Sequence, residues 1–419
     1  MNVINILRSV LKNPFTVLGS AGLGLYCGAN FPEFTALVSP FGIIFLSMLQ
    51  MVSLPIILCA VISGLGSLLY SGLARETMRR FTMILIFAPL FAAAIGLFSG
   101  VIFEPGMDLP PDAESTFGEM MINDSYSSDS TEVTDSNFWS FAQQIVTENI
   151  FVSLVDGRPL QVLFFSILIG IALGLEKKKS NETALAIIEA VFEALLKIIN
   201  WLIYFLPFGL FALLAAQAEN INLTSLLAML NLAAVYAGGC LLLFITCNIL
   251  IVQRTGVSYS TALSAFREAI LVSASSANSF AALPSALRGM QHTLKLDRRT
   301  TDLMTPLSLN LLPLATIIYF SVAALFIAQI SAIELTLIEY ITLFFGSIFA
   351  GLAAASLPSA AGVAVIAIVL EPLGLPVEVA IVLLIAIDPI LDPINAAVDT
   401  HVACTVATLV ADPPTKDIE

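Results

Sequence analysis

Ten long apolar runs, separated by short polar connections, restrict how this chain can fold more than any other feature. The runs lie at about 15–31, 39–70, 81–103, 160–175, 183–215, 223–252, 268–291, 303–330, 340–370 and 379–411. About 20 apolar residues in a row are enough for a helix to cross a bilayer. Charged residues make up only 11% of the 419 residues, against about 25% in soluble domains. The sequence therefore predicts an all-α integral membrane protein.

Basic residues in the connections predict the side of the membrane on which each run starts, because positively charged loops stay in the cytoplasm. The first, third and fifth runs follow Arg8, Arg75 and Lys177, whereas the other early connections are acidic or uncharged apart from Arg158. We expect a multi-pass protein of the inner (cytoplasmic) membrane, surrounded by lipid, with both termini in the cytoplasm.

The connection after the third run has a composition of its own. Residues 104–135 contain nine of the 31 acidic residues and no Lys or Arg, and they are rich in Ser, Asp and Pro. Such a segment cannot bury enough apolar surface to form a core. We expect residues 104–137 to form a flexible extracellular loop. Nothing in the composition indicates a nucleic-acid partner.

Two apolar runs are predicted to enter the membrane and turn back. The run 268–291 has cytoplasmic residues at both ends, since Arg267 precedes it and Arg288 begins a basic cluster at its end. The run 340–370 is flanked only by acidic residues, and it carries Pro358 between two glycines near its middle. Each run is too short to cross twice, so each is expected to form a hairpin.

The two predicted hairpins also share a short sequence, Ala-Leu-Pro-Ser-Ala at 282–286 and Ser-Leu-Pro-Ser-Ala at 356–360. Each is followed by one long apolar run. Two hairpin-plus-helix units that enter from opposite faces are inverted repeats, a common construction of secondary transporters. We therefore expect eight transmembrane helices plus two re-entrant helical hairpins.

The last apolar run carries three aspartates at helical spacing. Asp388, Asp392, Asn395 and Asp399 fall at i, i+4, i+7 and i+11, which places them on one stripe of a helix. Ionised carboxylates within a bilayer are expensive, and such residues usually face a cavity, share protons or bind a cation. No Lys or Arg occurs between residues 300 and 415 to neutralise them. The stripe predicts a site for a proton, a metal ion or a substrate ammonium group; the alternative is a polar network that only holds the helices together.

Several segments, in the expected order, resemble the dicarboxylate/amino-acid:cation symporters, the glutamate and aspartate carriers of bacteria, archaea and animal synapses. The similar segments are residues 145–151 (IVTENIF), residues 160–172, both Pro-tipped hairpins, and the IDPILD of residues 387–392. The resemblance covers nearly the whole chain.

The resemblance implies an elevator-type transporter that assembles as a homotrimer. The static scaffold would consist of residues 1–75 and 138–222, with spans one, two, four and five. The moving transport domain would consist of residues 76–103 and 223–411, with spans three and six to eight and both hairpins. The family also implies that Asp392 binds the substrate amino group, a charge-assisted pairing.

This chain departs from the family where sodium binds. The family's seventh span breaks at N-M-D-G-T, whereas residues 312–316 read L-P-L-A-T, so Leu314 replaces a sodium-binding aspartate and only Thr316 is retained. In the last helix, Asp399 stands in place of a sodium-binding asparagine, and Ala403 replaces the final sodium-binding aspartate. The sodium ligands are thus largely absent, and any metal site is unknown.

Substrate specificity is also expected to differ from that of a glutamate carrier. Asn395 stands where the family has the arginine that binds a side-chain carboxylate. An uncharged amide suits a neutral or polar side chain better than a carboxylate. We expect the substrate site to include Asp392, Asn395, Asp399 and Thr316. At the hairpin tips, the side chains expected to receive a carboxylate with backbone amides are Asn278, Ser279 and Ser359.

The coupling cation is left open between H⁺ and Na⁺, and the lost sodium ligands favour the proton. A carboxyl group in an apolar site costs less as the neutral acid than as the anion. Asp399 is the leading proton carrier, followed by Asp388 and His401, although a lone His near a helix end is more often structural. No further cofactor is expected.

Two classes of function compete. The first is a cation-coupled symporter of amino acids or small dicarboxylates, with a neutral or polar amino acid favoured. The second, raised by the altered sodium motif, is an uncoupled channel or a transport-inactive sensor. An intramembrane aspartyl protease is disfavoured, because no Gly-x-Gly-Asp signature occurs and the three aspartates share one run. We do not expect an enzyme.

Overall fold

The structure, a computed structural model, describes residues 14–70, 75–107, 146–155, 158–176, 178–217, 223–355 and 362–411. The regular elements within these ranges are helices, and no strand occurs among them. The helices are α1 Pro14–Asn30, α2 Pro32–Tyr70, α3 Arg75–Phe103, α4 Ile150–Val155, α5 Pro159–Leu175, α6 Lys179–Leu202, α7 Leu206–Gln217, α8 Leu223–Thr255, α9 Tyr259–Ser276, α10 Leu283–Arg288, α11 Arg298–Leu311, α12 Leu314–Ile330, α13 Leu337–Ala354, α14 Ala367–Leu370 and α15 Val377–Val410. The prediction of an all-α protein is confirmed.

Within the described ranges, four helical segments are long and apolar enough to cross a membrane by length and composition. They are Thr77–Phe103, Met229–Thr255, Thr300–Ile330 and Leu337–Ala354, and shorter apolar helices lie at Leu54–Ser67, Gln161–Leu175 and Val363–Leu373. These segments fit a membrane protein. The total of eight spans stays a prediction.

The most extensive interhelical contacts fall into two sets. In the first set, α2 packs against α5, α6 and α7, and α7 packs against α1. In the second set, α15 packs against α8, α9 and α11, while α12 packs against α3 and α13. The sets meet mainly where α2 contacts α11 and α5 contacts α13.

The residues of the predicted acidic loop beyond Met107 lie outside the described part of the chain, as do residues 1–13 and 412–419.

The apolar run 183–215 differs from the single span expected there. It divides into α6 and α7, joined by a 3₁₀ turn at Ile203–Phe205. Pro207 is the second residue of α7, and a proline cannot donate the helical hydrogen bond to the preceding turn. Gly209 allows α7 to approach the Phe45 ring of α2 closely. Pro207 explains why the helix divides here. It lies within a continuous apolar run, so the apolar pattern alone predicted a single helix.

Both predicted hairpins have two antiparallel arms. In the first, α9 ends at Ser276 and the next residue, Ala277, reverses the chain with a φ of 47°. Gly289 of the returning arm packs against the backbone of Ala265. In the second, Gly346 of α13 lies beside Val369 of the returning arm. The tip of the second hairpin, including Ser359, lies outside the described residues.

Helix α12 is buried almost from end to end. Gly96 of α3 and Gly351 of α13 have no side chain, which allows both helices to approach it closely, at Ser321 and Ile317 respectively. A buried hydrogen bond of 2.8 Å joins the hydroxyls of Ser321 and Ser347, on α12 and α13. These contacts hold α12 firmly against α3 and α13. Helix α12 also packs against α15, and the candidate site lies between these two helices.

Candidate functional site

Helix α12 starts inside the molecule, where the apolar run 303–330 breaks. Leu312 and Pro313 leave helical geometry, with φ and ψ of −132° and 64° for the first and −79° and 67° for the second. Proline has no N–H, and its ring disfavours the helical conformation of the preceding residue. The first N–H groups of α12 are consequently left without helical acceptors in the protein interior.

Asp399 of α15 satisfies one of these N–H groups. The backbone N–H of Ala315 donates to Oδ1 of Asp399 at 3.0 Å. The positive end of a helix dipole favours a negative charge at this position. Neither α12 nor α15 contains a Lys or Arg. The broken helix, rather than a basic side chain of either helix, thus stabilises the carboxylate.

Thr316 and Asn395 form a second link between the same two helices. The Thr316 hydroxyl donates to Oδ1 of Asn395 at 3.3 Å. This contact uses the carbonyl oxygen of the amide and leaves its nitrogen as a hydrogen-bond donor. Thr316, Asn395, Asp392 and Asp399 are only partly buried, whereas the residues of α12 on either side of Thr316 are buried. These four residues therefore keep some accessible surface within an otherwise closely packed region.

The tip of the first hairpin contacts α15 at the same level. Ser279 Oγ donates to the carbonyl oxygen of Ala396 at 3.1 Å, one residue after Asn395. Asn278 caps the 3₁₀ turn that follows, since its Oδ1 accepts from the N–H of Phe280 at 2.9 Å. The structure therefore brings Ser279 to α15, whereas Asn278 uses its side-chain oxygen within the tip.

Asp388 and Asp392 form the other polar part of the stripe. Asp388 is buried, and the two carboxylates lie close enough to repel each other electrostatically. Tyr319 of α12 lies within electrostatic reach of both. Its buried hydroxyl has no hydrogen-bond partner among the described residues. Tyr319 is therefore a neighbour of the two carboxylates that the sequence analysis did not include in the site.

His401 lies apart from this cluster. It is 0% exposed, stacks on Phe244 of α8 with ring centroids 4.1 Å apart, and meets Phe266 of α9 edge-on at 5.9 Å. Neither ring nitrogen has a hydrogen-bond partner within the described part of the chain. Two residues correspond to about 200° around a helix, so His401 and Asp399 point in different directions.

The structure brings together most of the predicted site residues. Asp399, Thr316, Asn395 and Ser279 are joined through hydrogen bonds between α12, α15 and the first hairpin. Sequence reasoning missed the backbone groups that complete these contacts, the N–H of Ala315 and the carbonyl of Ala396. Pro313 was the sequence feature that could have indicated the first of these groups, because a proline that breaks a helix leaves the N–H groups after it, including that of Ala315, without helical acceptors.

The chemistry of this arrangement suits a cationic group and a hydrogen-bond acceptor. The carboxylates of Asp388 and Asp392 favour a cationic group such as an ammonium. The free amide nitrogen of Asn395 favours a hydrogen-bond acceptor. Asp399 can change its charge at the N-terminus of α12. Across the described residues, no three His, Cys, Asp or Glu side chains are grouped as metal ligands.

Comparison with known proteins gives a consistent set of matches. The family model described as "Sodium:dicarboxylate symporter family" matches residues 14–412. The "Proton/sodium-glutamate symport protein" of Geobacillus stearothermophilus is 26% identical over 385 residues, covering 90% of this chain and 88% of that protein. The "C4-dicarboxylate transport protein" of Paracoccus denitrificans is 28% identical over 330 residues, covering 78% and 71% respectively.

Proposed function

Because this chain belongs to the sodium:dicarboxylate symporter family, a family of transporters and not of enzymes, we propose that it is a cation-coupled symporter of small amino acids or dicarboxylates in the cytoplasmic membrane. The observation that carries the proposal is the stripe of Asp388, Asp392 and Asp399 on α15. These carboxylates adjoin a helix break and a hairpin tip, and neither α12 nor α15 supplies a basic residue. A cationic guest supplies the missing charge.

The substrate is a neutral or polar amino acid in this proposal. Its ammonium group pairs with Asp392, and its side chain meets the amide nitrogen of Asn395. The hydrogen bond from Thr316 supports this assignment, because it orients the amide with the nitrogen free to donate. The names of the relatives include glutamate and C4-dicarboxylates, so acidic substrates belong in the same test.

The coupling ion is a proton in this proposal, with Asp399 as its carrier. Ionised, Asp399 accepts a strong hydrogen bond from the N-terminus of α12. Protonated, it loses most of its attraction to the helix dipole, which loosens the joint between α12 and α15. The relatives named as proton/sodium symporters support either cation. Asp388 and His401 are the further candidates for carrying the proton.

Transport proceeds by an elevator motion in this proposal. The helices α3 and α8–α15, which carry the site, move against the helices α1, α2 and α5–α7. The two contact sets support such a division, because each is packed more extensively within itself than against the other. Self-assembly as a homotrimer and cytoplasmic termini complete the proposal.

Uptake into proteoliposomes tests this function. Purified protein is given radiolabelled serine, asparagine, glutamate or succinate under an inward gradient of H⁺, of Na⁺, or of neither. We expect accumulation above the external concentration when a proton gradient is present, together with substrate-driven proton influx. Downhill equilibration alone would support a channel, and saturable binding without flux would support a sensor.

The Asp399→Asn variant tests the proton carrier. We expect it to retain substrate binding and to lose substrate-driven proton influx, since the amide cannot ionise. Glu378→Gln is the matched control, because Glu378 is exposed in the first turn of α15, away from the site. Undiminished proton influx in Asp399→Asn would exclude Asp399 as the carrier.

A further inference from the structure

Helix α8 packs beside the joint between α12 and α15 and contacts both helices. Gly239 of α8 has no side chain, and a Cβ there would lie 3.1 Å from Cγ2 of Ile318 on α12. This close approach brings the ring of Tyr236, one turn earlier on α8, edge-on to the ring of Tyr319, with the centroids 5.6 Å apart. Tyr236 is therefore packed against the helix whose N-terminus donates to Asp399.

Two contacts determine how α8 is aligned with α15. The ring of Phe244 stacks on that of His401. Ten residues later in each segment, Nη2 of Arg254 donates to the carbonyl oxygen of Ala411 at 2.8 Å. The two helices therefore run in the same direction, and Asp399 lies level with the residue two positions before Phe244. Because helical side chains lean toward the N-terminus of their helix, the carboxyl of Asp399 leans toward the part of α8 that precedes Phe244.

Tyr236 is an unpaired polar residue in this part of α8. The charge of Asp399 reaches both Tyr236 and Cys240, which lie one turn apart on the same face of the helix. Tyr236 is 0% exposed, and its hydroxyl has no hydrogen-bond partner among the described residues. The thiol of Cys240 is only a weak partner. Since buried tyrosine hydroxyls usually have a partner, we expect another group to pair with this one in some state of the protein.

The ionised and the protonated forms of Asp399 need different partners. The ionised carboxylate accepts from the N–H of Ala315. The protonated carboxyl is a donor and needs an acceptor, which an N–H group cannot be. The backbone carbonyl oxygens in the middle of α8 accept within the helix. The hydroxyl oxygen of Tyr236 can accept, and it lies on the helix that faces this carboxyl.

We propose that Tyr236 is a positioning residue for the proton carrier, and that its hydroxyl oxygen accepts a hydrogen bond from the protonated carboxyl of Asp399. The carboxyl then has two positions, against the N–H of Ala315 when ionised and against Tyr236 when protonated. The proton stays on Asp399, and the O–H bond of the tyrosine is not broken. The inference rests on the proposed role of Asp399 and names the group that holds its protonated form.

The other ionisable groups around this carboxyl can be named within the described part of the chain. Its charge also reaches Cys247 of α8, and α12 contributes Tyr319. The charged residues of α3 lie in its first two turns. On α1, α9 and α11, the ionisable side chains that the structure describes are exposed: Tyr26, Tyr259, Arg267, Glu268, Arg298 and Asp302. A change in pH dependence on removal of the Tyr236 hydroxyl is therefore assigned to Asp399 by a double variant.

Tyr236→Phe tests the proposal, because it removes only the hydroxyl. In infrared difference spectra of the purified protein, the C=O band of protonated Asp399 is identified by its loss in Asp399→Asn. We expect Tyr236→Phe to move this band to higher frequency, since the carboxyl loses an acceptor. We also expect the pH midpoint at which the band appears to shift by about one unit to acid, which is about tenfold weaker proton binding.

A matched control and a transport measurement accompany the spectra. Tyr340→Phe removes a hydroxyl from a partly buried tyrosine near the start of α13, and it should leave the band and its midpoint unchanged. In proteoliposomes, we expect Tyr236→Phe to shift the pH dependence of uptake to acid by the same amount. In the Asp399→Asn background, the same change at Tyr236 should leave the pH dependence unaltered.

Three results would overturn the inference. One is an unchanged band and midpoint in Tyr236→Phe. Another is a midpoint shifted to alkaline pH, which would show that the hydroxyl donates to the ionised carboxylate. The third is an equal shift with and without Asp399, which would assign the effect to another group. Absence of coupled proton influx in the unmodified protein would instead remove the proposed coupling, and the infrared band would still decide whether Tyr236 holds the protonated carboxyl.

Discussion

The carboxylate of Asp399 accepts a hydrogen bond from the backbone N–H of Ala315, across 84 residues of sequence. This contact joins the long helix α15 to the start of α12, where a proline has interrupted the helix. A side chain that can lose its charge thus lies at the joint between two helices that line the candidate site. We expect this contact to be stronger when Asp399 is ionised than when it is protonated, because the N-terminus of a helix favours a negative charge.

Replacing Asp399 by Asn and by Leu is expected to separate its hydrogen bond from its charge. Asn keeps an oxygen that can accept from Ala315, whereas Leu leaves the N–H unsatisfied. We expect the Leu variant to be less stable than the Asn variant by about 1–3 kcal/mol. Chemical unfolding in detergent measures the difference. Equal stabilities would show that the N–H of Ala315 does not depend on this side chain.

Replacing Asn395 by Arg is expected to change the substrate preference. The guanidinium would add a positive charge beside Asp392 and offer paired donors to a carboxylate. We expect thermal stabilisation of the variant by glutamate or succinate to increase, and stabilisation by serine or asparagine to decrease. Asn395→Gln, which adds length without charge, is the control. An unchanged ligand profile in Asn395→Arg would place the substrate side chain elsewhere.

Replacing His401 by Phe is expected to stabilise the protein. The imidazole is buried between Phe244 and Phe266, and neither nitrogen has a partner in the described residues. Unsatisfied buried polar groups cost about 1–3 kcal/mol each, so an apolar ring of similar shape should raise the free energy of unfolding by about that amount. If the pH dependence of uptake were abolished in this variant, His401 would be a proton carrier and not a packing residue.

Replacing Gly289 by Ala is expected to disrupt the first hairpin. A Cβ at this position would collide with the backbone carbonyl of Ala265, which cannot move without distorting α9. We expect a lower unfolding temperature and weaker substrate binding, because the hairpin carries Ser279. Gly238→Ala is the control, since a Cβ there meets nothing within 4 Å. That change should be neutral or stabilise α8 by up to about 1 kcal/mol.

The site shows where sequence reasoning reaches its limit. The stripe from Asp388 to Asp399 follows directly from helical spacing, and the structure keeps it on one helix. The role of Tyr319 could not be read in the same way. A tyrosine in an apolar run resembles any core aromatic, and only packing of α12 against α15 brings it near the two carboxylates.

By itself, the sequence determined the features that depend on local patterns. Apolar runs with few charges predict helices in a membrane, flanking charges predict two hairpins, and helical spacing places Asp388, Asp392, Asn395 and Asp399 on one stripe. Only the tertiary structure decided that Ala315 meets Asp399 and that Ser279 meets the carbonyl of Ala396. Those contacts involve backbone groups, which look alike at every residue, and helix faces whose neighbours are chosen by packing far along the chain.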